Sequence, residues 1–134
     1  MVARLTEPGA HTAMRPRILY LDDEETLVFL ATRQLRRLGF EVVGFTEVPE
    51  ALAAFKTDPA GFVLVLTDLS MPGASGLDFA QDILAHAPGT RVAILTGHLD
   101  PADGPRAKAA GVHAIEQKPL QPEEWGRVIR QLLI

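Results

Sequence analysis

The sequence predicts an α/β fold in which five β-strands alternate with five α-helices. Each of five short apolar runs is followed by a segment in which apolar residues recur at helical spacing. Strands that alternate with helices form a parallel sheet joined by right-handed crossovers. No glycine-rich turn follows the first strand, so the dinucleotide-binding variant has no support. We therefore expect a flavodoxin-like, doubly wound (βα)5 domain with a five-stranded parallel sheet in the order 2-1-3-4-5.

The individual elements follow from apolar periodicity and from the residues that end each run. The predicted strands are residues 17–21, 41–45, 62–66, 91–95 and 113–117. The predicted helices are residues 26–38, 48–55, 75–86, a short segment that begins near Pro105, and 122–133. Gly39 ends the first helix. Ser75 and Asp78 have the spacing of a capping box, and Pro122 suits the first position of the last helix.

Length and composition indicate one globular domain. The chain has 134 residues, of which 47% are hydrophobic, and we see no internal repeat and no second domain. Residues 1–16 carry Pro, Gly and Thr without periodicity, so we expect a flexible N-terminal extension before a domain over 17–134. Met14 is a candidate alternative start.

Charge and residue usage exclude several function classes. No cysteine is present, which excludes disulfides and thiolate chemistry. The formal charge of −4 argues against general nucleic-acid binding, which depends on Lys and Arg. No apolar run reaches the roughly 20 residues needed to cross a bilayer. We expect a soluble cytoplasmic domain without membrane contact.

Polar residues follow four of the five predicted strands. Asp22 and Asp23 follow the first strand, Asp68 the third, Thr96 the fourth and Lys118 the fifth. In the order 2-1-3-4-5 these positions share one edge of the sheet, where open α/β sheets bind ligands. Three converging carboxylates repel one another unless a cation joins them, and Mg²⁺ prefers such oxygen ligands. One carboxylate is then free to act as a nucleophile.

The remaining two residues suit phosphoryl transfer. Lys118 is long enough to return a positive charge toward Asp68 across about 10 Å, and Thr96 can donate a hydroxyl hydrogen bond to a phosphoryl oxygen. Taken singly, each residue has a structural explanation. Asp22 or Asp23 suits a helix N-cap, Thr96 or Asp68 a turn, and Lys118 a solvated charge. The joint arrangement favours a phosphoryl-transfer site.

The chain resembles the receiver domain of the response-regulator family of two-component signalling over residues 17–134. The matching motifs are Leu-Asp-Asp-Glu at 21–24, Leu-Thr-Asp-Leu-Ser-Met-Pro-Gly-Ala-Ser-Gly at 66–76, Thr-Gly at 96–97 and Lys-Pro at 118–119. The resemblance implies that Asp68 takes a phosphoryl group from the phosphohistidine of a histidine kinase or phosphotransfer protein. It implies no enzyme beyond the domain's own phosphorylation and dephosphorylation.

The resemblance also implies roles for the surrounding residues. Asp23 and Asp68 would coordinate Mg²⁺ together with the main-chain carbonyl of Ser70, and Asp22 would act mostly through a water. Lys118 and Thr96 would hold the phosphoryl oxygens. A cis peptide before Pro119 is also expected from the family.

Two departures from the family pattern concern signalling and phosphoryl lifetime. Three positions before the lysine, where the family usually has an aromatic residue that swings inward, this chain has Ile115. Ile is stiff at χ1 and has no ring, so we expect the output face to respond weakly or by another route. Ser70 and His98 occupy the positions that influence phosphoryl lifetime. An imidazole there could shield the acyl phosphate, orient water, or lie in solvent.

Other functions remain open at this point. In a hydrolase of the haloacid-dehalogenase type, Asp22 would be the nucleophile, but Asp68 would then have no role. A receiver used as an unphosphorylated docking module is a third interpretation, which the intact acid set argues against and Ile115 keeps open. No DNA-binding module follows the last helix, so we expect a stand-alone regulator or a receiver from a larger protein such as a hybrid kinase. A homodimer is compatible with either.

Overall fold

The computed structural model describes residues 15–118 and 121–133. The strands are β1 (Arg17–Leu21), β2 (Glu41–Phe45), β3 (Phe62–Asp68), β4 (Ser70–Met71), β5 (Ala74–Ser75), β6 (Val92–Thr96) and β7 (Ala114–Gln117). The helices are α1 (Glu25–Arg37), α2 (Val48–Thr57), α3 (Gly76–His86), α4 (Asp103–Ala109) and α5 (Pro122–Leu133). A 3-10 turn at Pro59–Gly61 leads into β3. The predicted alternation of strands and helices is confirmed.

Five of these strands form one parallel sheet in the order β2-β1-β3-β6-β7. This is the predicted order 2-1-3-4-5, counted over the five long strands. Asp68 is the last residue of the central strand β3 and pairs with Leu95 of β6, while Thr67 pairs with Leu21 of β1. The sheet therefore places Asp68 between the ends of its two neighbouring strands.

Helices cover both faces of the sheet, as doubly wound folds require. On one face, α1 and α5 contribute residues such as Leu35, Trp125 and Ile129 to a buried cluster with Leu64 and Leu66 of β3. On the other face, α2, α3 and α4 pack against alternate strand residues in a second cluster. Because β3 is buried on both sides, its apolar run needs no alternation with polar residues. Among the described residues, no helix is long and apolar enough to cross a membrane.

The structure adds a short hairpin that the sequence did not predict. Ser70 pairs with Ser75 and Met71 with Ala74 in antiparallel fashion, around a turn at Pro72 and Gly73. Gly73 has a φ of 71°, which glycine adopts without steric cost. Strands of two residues carry no periodic pattern, which is why the sequence does not indicate this element.

The helix boundaries differ from the predicted ones by a few residues. α4 begins at Asp103, two residues before Pro105, because a proline in the first turn removes only an N–H that has no partner within the helix. Ser75 is the N-cap of α3, but its hydroxyl accepts a hydrogen bond from the Leu77 N–H at 3.1 Å and not from Asp78, the partner that the predicted capping box requires. That cap starts α3 directly after the hairpin.

Candidate functional site

Three carboxylates meet at the carboxyl edge of the sheet, as predicted. Asp22 and Asp23 follow β1, and Asp68 ends β3; one oxygen of each lies within 4.8 Å of the others. Asp22 is fully buried, Asp68 is 7% exposed and Asp23 is exposed. Charge repulsion in such a group is costly unless cations lie nearby. The donor set fits a hard divalent cation, which binds carboxylate oxygens and retains some water.

Lys118 supplies a positive charge to this group. Its Nζ lies 2.8 Å from Asp22 Oδ2 and 3.3 Å from Asp68 Oδ1, and its side chain is 13% exposed. The Lys118 N–H also donates a hydrogen bond to the Thr96 carbonyl at 2.6 Å, which fixes the end of β7 beside β6. The interpretation of Lys118 as a solvated charge is wrong, because both of its ion pairs are largely buried.

The protonation of Asp68 and Lys118 reflects this crowding. Burial raises the pKa of Asp68 to about 6; the charge of Lys118 opposes that rise and the charge of Asp22 adds to it. Burial also acts to lower the pKa of Lys118, but the hydrogen bond and charge of Asp22, together with Asp68, leave it raised. The lysine therefore stays charged while Asp68 holds its negative charge less firmly than an exposed carboxylate.

Asp22 is positioned by the backbone that follows it. Its Oδ1 accepts a hydrogen bond from the Glu24 N–H at 2.9 Å, while its Oδ2 faces Lys118. The N-cap of α1 is Glu24, which makes no side-chain capping bond. The interpretation of Asp22 or Asp23 as an N-cap is therefore wrong, since α1 begins beyond them at Glu25.

The backbone around Asp68 is held from several directions. The Leu69 N–H donates to Asp68 Oδ1 at 2.8 Å, and the buried Thr67 hydroxyl donates to the Asp68 carbonyl at 3.0 Å. Gly76 lies so close that a Cβ built there would stand 1.9 Å from the Asp68 carbonyl oxygen. Only glycine fits this approach, so the start of α3 packs directly on the backbone of the central acid. Neither Thr67 nor Gly76 stands out in the sequence as a site residue.

Thr96 lies at the end of β6 and is buried, but its hydroxyl faces the following loop. Its Oγ1 donates to the His98 carbonyl at 3.0 Å and accepts from the His98 N–H at 3.3 Å. This closed turn is the structural role expected for a threonine after a strand. A hydrogen bond from Thr96 to a phosphoryl group would require the hydroxyl to leave the His98 carbonyl.

The three positions expected to modulate signalling, Ser70, His98 and Ile115, differ in their exposure and in the residues that they contact. Ser70 is exposed and begins β4, two residues after Asp68. The His98 imidazole is 85% exposed, and its Nε2 lies 3.0 Å from Asp100 Oδ1. Ile115 is half-buried in β7, pairs with Ile94, and packs against the cluster beneath α2, α3 and α4. The peptide bond before Pro119 lies outside the described residues.

Most of the predicted site residues border one open cleft of about 750 Å³, whose lining includes neither Asp22 nor Ile115. Asp23, Asp68, Ser70, Thr96 and Lys118 line it, and so does His98. The cleft also includes Asp103 and Arg106 of α4, to which the sequence analysis gave no function. Their spacing of three residues on a helix, which suits an ion pair, was the available signal.

Comparisons with known proteins give the family. The family model described as response regulator receiver domain matches residues 18–130. The DNA-binding response regulator MtrA of Mycolicibacterium smegmatis is 32% identical over 120 residues, which are 90% of this chain and 51% of that protein. The C4-dicarboxylate transport transcriptional regulatory protein DctD of Rhizobium meliloti is 34% identical over 105 residues, 78% of this chain and 22% of that protein. The chain thus spans about half or less of these relatives.

Solved structures agree with the family and the fold. A response regulator receiver domain protein from Clostridium thermocellum superposes with a TM-score of 0.82 at 30% identity, over 88% of this chain and 94% of that one. The chemotaxis protein CheY4 of Vibrio cholerae, at 24% identity, shares the fold with a TM-score of 0.82 over 89% of this chain and 99% of that one. The chain therefore belongs to the response regulator receiver domain family of two-component signalling.

Proposed function

We propose that Asp68 is the phosphoacceptor of this receiver domain and takes a phosphoryl group from the phosphohistidine of a histidine kinase or phosphotransfer protein. The observation that carries the proposal is the position of Asp68 at the end of the central strand, where its carboxylate lies 3.3 Å from the Lys118 ammonium and beside two further carboxylates. An acid, a paired cation and a place for a metal ion are the parts that phosphoryl transfer needs.

The proposed transfer of the phosphoryl group to Asp68 is an in-line displacement. An oxygen of ionised Asp68 forms the new O–P bond while the N–P bond of the phosphohistidine breaks, and the imidazole nitrogen keeps that electron pair. Since the Leu69 N–H and Lys118 hold Asp68 Oδ1, we assign the attack to Oδ2. Lys118 and the rotated Thr96 hydroxyl then hold the oxygens of the resulting acyl phosphate.

A divalent cation, Mg²⁺ in the proposal, would be held by Asp23, Asp68 and the main-chain carbonyl of Ser70, with Asp22 acting through a water. The fit rests on three carboxylates that converge within 4.8 Å against the single ammonium of Lys118. When bound, the ion supplies positive charge to the phosphoryl oxygens. Asp22 meanwhile keeps Lys118 at the edge of the cleft, through their 2.8 Å contact.

The hydrolase alternative with Asp22 as nucleophile has no support in the geometry. Asp22 has no exposed surface, and its two oxygens accept hydrogen bonds from the Glu24 N–H and from Lys118. An attacking oxygen needs access to its substrate, which Asp68 has because it lines the cleft. The reading as a docking module that is never phosphorylated differs from the proposal in one measurable property, namely labelling.

The experiment is phosphorylation by radiolabelled acetyl phosphate, with Mg²⁺ or with EDTA. We expect label on the wild type with Mg²⁺, none on Asp68→Asn, and weaker Mg²⁺ dependence with retained label on Asp22→Asn. Asp82→Asn, on the exposed side of α3, is the matched control and should label like the wild type. Label on Asp68→Asn, or none on a folded wild type, would refute the proposal.

The output of the domain is proposed to be protein–protein contact or onward phosphotransfer. The relatives include proteins named as DNA-binding and transcriptional regulators, and the described part of this chain is the receiver alone. Allosteric coupling free energies are typically about 1–3 kcal/mol, and the coupling is reciprocal. A partner that binds the phosphorylated form more tightly should therefore shift the equilibrium toward phosphorylated Asp68 by the same free energy. Homodimerisation on phosphorylation is tested by sedimentation with and without beryllofluoride.

A further inference from the structure

We propose that Arg106 of α4 binds the oxyanion of the incoming phosphodonor and that the buried Asp103 positions it. The inference rests on the proposed phosphorylation of Asp68 and names a residue outside the acid, threonine and lysine set. Arg106 and Asp103 both line the cleft that holds Asp68. Three observations support this role: the charge of the cleft, the anchoring of Arg106, and the exposure of its guanidinium.

The cleft needs a second positive charge. Its described acidic lining residues are Asp23, Glu24, Asp68, Asp100 and Asp103. The fixed cations that line it are Lys118 and Arg106. Lys118 is already paired with Asp22 and Asp68. A phosphodonor is itself an anion, so the carboxylates repel it, and a bound divalent ion offsets only part of that repulsion. Arg106 is the described cation of the cleft that is paired with neither Asp22 nor Asp68.

Asp103 anchors Arg106 on the side of the cleft. The Asp103 carboxylate is 8% exposed; its Oδ2 accepts from the Asp100 N–H at 2.9 Å, and its Oδ1 lies 3.9 Å from Arg106 Nη1. Asp103 is the first residue of α4 and Arg106 the fourth. Side chains on a helix tilt toward its N-terminus, which here follows the loop from the end of β6. The tilt and the ion pair together direct the guanidinium toward the cleft.

The guanidinium retains donors for a ligand. The Arg106 side chain is 63% exposed, and a single contact at 3.9 Å leaves most of its five N–H groups in solvent. Guanidinium groups bind phosphate in bidentate fashion, which an ammonium cannot do. The ion pair is long and its cation is exposed, so it contributes little to folding, and Asp103 keeps the hydrogen bond from the Asp100 N–H without it. Replacement of Arg106 should therefore change donor binding without unfolding the domain.

The test compares Arg106→Gln with Lys108→Gln, which removes the same charge from the same helix at an exposed position outside the cleft lining. The rate of Asp68 labelling is measured against acetyl phosphate concentration at saturating Mg²⁺. We expect Arg106→Gln to raise the half-saturating concentration about threefold to tenfold, as loss of one hydrogen bond of typical net strength in a solvent-exposed position implies. Lys108→Gln should match the wild type, and Arg106→Lys should fall between. Added salt should reduce the difference in half-saturating concentration between Arg106→Gln and the wild type.

A second readout separates donor binding from a structural effect. Loss of a cation from an acidic cleft should leave Mg²⁺ affinity, measured by isothermal titration calorimetry, unchanged or tighter in Arg106→Gln. Weaker Mg²⁺ binding together with a lower melting temperature would overturn the proposal, and so would equal donor curves for Arg106→Gln and Lys108→Gln. In either case label on the wild type, absent from Asp68→Asn, would leave the proposed function standing.

Discussion

Lys118 and Asp22, separated by 96 positions in the chain, form a contact of 2.8 Å that is closer than the 3.3 Å contact of Lys118 with Asp68. The lysine is thus held mainly by Asp22 and less closely by Asp68, the proposed phosphoacceptor. Asp22 thereby holds the Lys118 ammonium beside Asp68, and the ammonium offsets part of the negative charge of the two carboxylates.

Replacement of Lys118 by Met should destabilise the metal-free domain. It would leave Asp22 fully buried without its cation, and the loss of one partner of a buried ion pair typically costs about 3–5 kcal/mol. The measurement is urea unfolding in EDTA. Lys56→Met, at an exposed position of α2, is the control whose free energy of unfolding should change little. Mg²⁺ should restore part of the stability through binding to the folded state. Equal stability of Lys118→Met and wild type would contradict this account.

The pKa of Asp68 predicts a pH dependence of stability in EDTA. The folded state raises this pKa from 3.8 to about 6, so it binds the proton more tightly than the unfolded chain does. The stabilisation from that proton is fully present below pH about 4 and is lost as the pH rises through about 6. The full loss is on the order of 2–3 kcal/mol, at 1.36 kcal/mol per pKa unit.

Asp68→Asn should remove this particular loss, because the amide does not titrate. The difference in unfolding free energy between Asp68→Asn and wild type should therefore grow from pH 4 to pH 7, in favour of the variant. The comparison uses urea melts in EDTA at each pH, and Asp82→Asn serves as the exposed control. A pH-independent difference would show that Asp68 titrates normally in the folded domain.

Gly76→Ala should disturb both folding and phosphorylation. The added Cβ would meet the Asp68 carbonyl oxygen at 1.9 Å, so either the start of α3 or the backbone of Asp68 must move. Overpacking of this kind costs about 1–3 kcal/mol. We expect slower labelling by acetyl phosphate as well, since the displaced acid loses its alignment with Lys118. Gly89→Ala, where no atom lies within 4 Å, should change stability by no more than about 0.5 kcal/mol.

His98→Ala should leave the rate of dephosphorylation nearly unchanged. The imidazole is 85% exposed and lies against Asp100, so in this conformation it lies mostly in solvent. The parts of His98 that contact the site are its backbone N–H and carbonyl, which any residue supplies. Decay of the labelled protein in EDTA provides the measurement. A clear change in lifetime would show that the imidazole turns inward after phosphorylation.

Ile115 leads us to expect a small response of β7 to activation. An NMR comparison with and without beryllofluoride should show amide shifts concentrated in the segment from Thr96 to Asp103, because the Thr96 hydroxyl must release the His98 carbonyl to reach a phosphoryl group. Shifts around Ile115 should be minor, and Ile115→Val should leave them so. Ile115→Phe should enlarge them, since a ring can occupy space vacated by Thr96. A large rearrangement at β7 in the wild type would contradict the expectation.

The apolar runs and their terminal polar residues were sufficient to predict the sheet order and the meeting of Asp22, Asp23, Asp68 and Lys118. These features depend on strand direction and topology, which periodicity reveals. The sequence left two roles open for the Thr96 hydroxyl, a turn or a phosphoryl ligand, and could not decide between them, because the outcome depends on a local competition between loop backbone and ligand. The buried state of Asp103 was hidden as well, since an acid within a helix is normally read as exposed.

Gly76 illustrates the same limit in another way. Its glycine identity fits a helix start after a capping serine, so the sequence offered no reason to link it to Asp68. Their contact joins residues eight positions apart around the β4–β5 hairpin, and only the folded hairpin brings α3 against the end of β3. A close approach between two backbone segments cannot be predicted from a pattern of side chains.

The clamping of Asp68 has a consequence for how the domain changes state. Its side chain is held by the Leu69 N–H, its carbonyl by the Thr67 hydroxyl, and its backbone is blocked by Gly76. A residue held on three sides resists displacement toward or away from an incoming group. We therefore expect the proposed phosphorylation to be sensed by the neighbours of Asp68, with the Thr96 turn, which has two hydrogen bonds to exchange, as the moving part around a stationary Asp68.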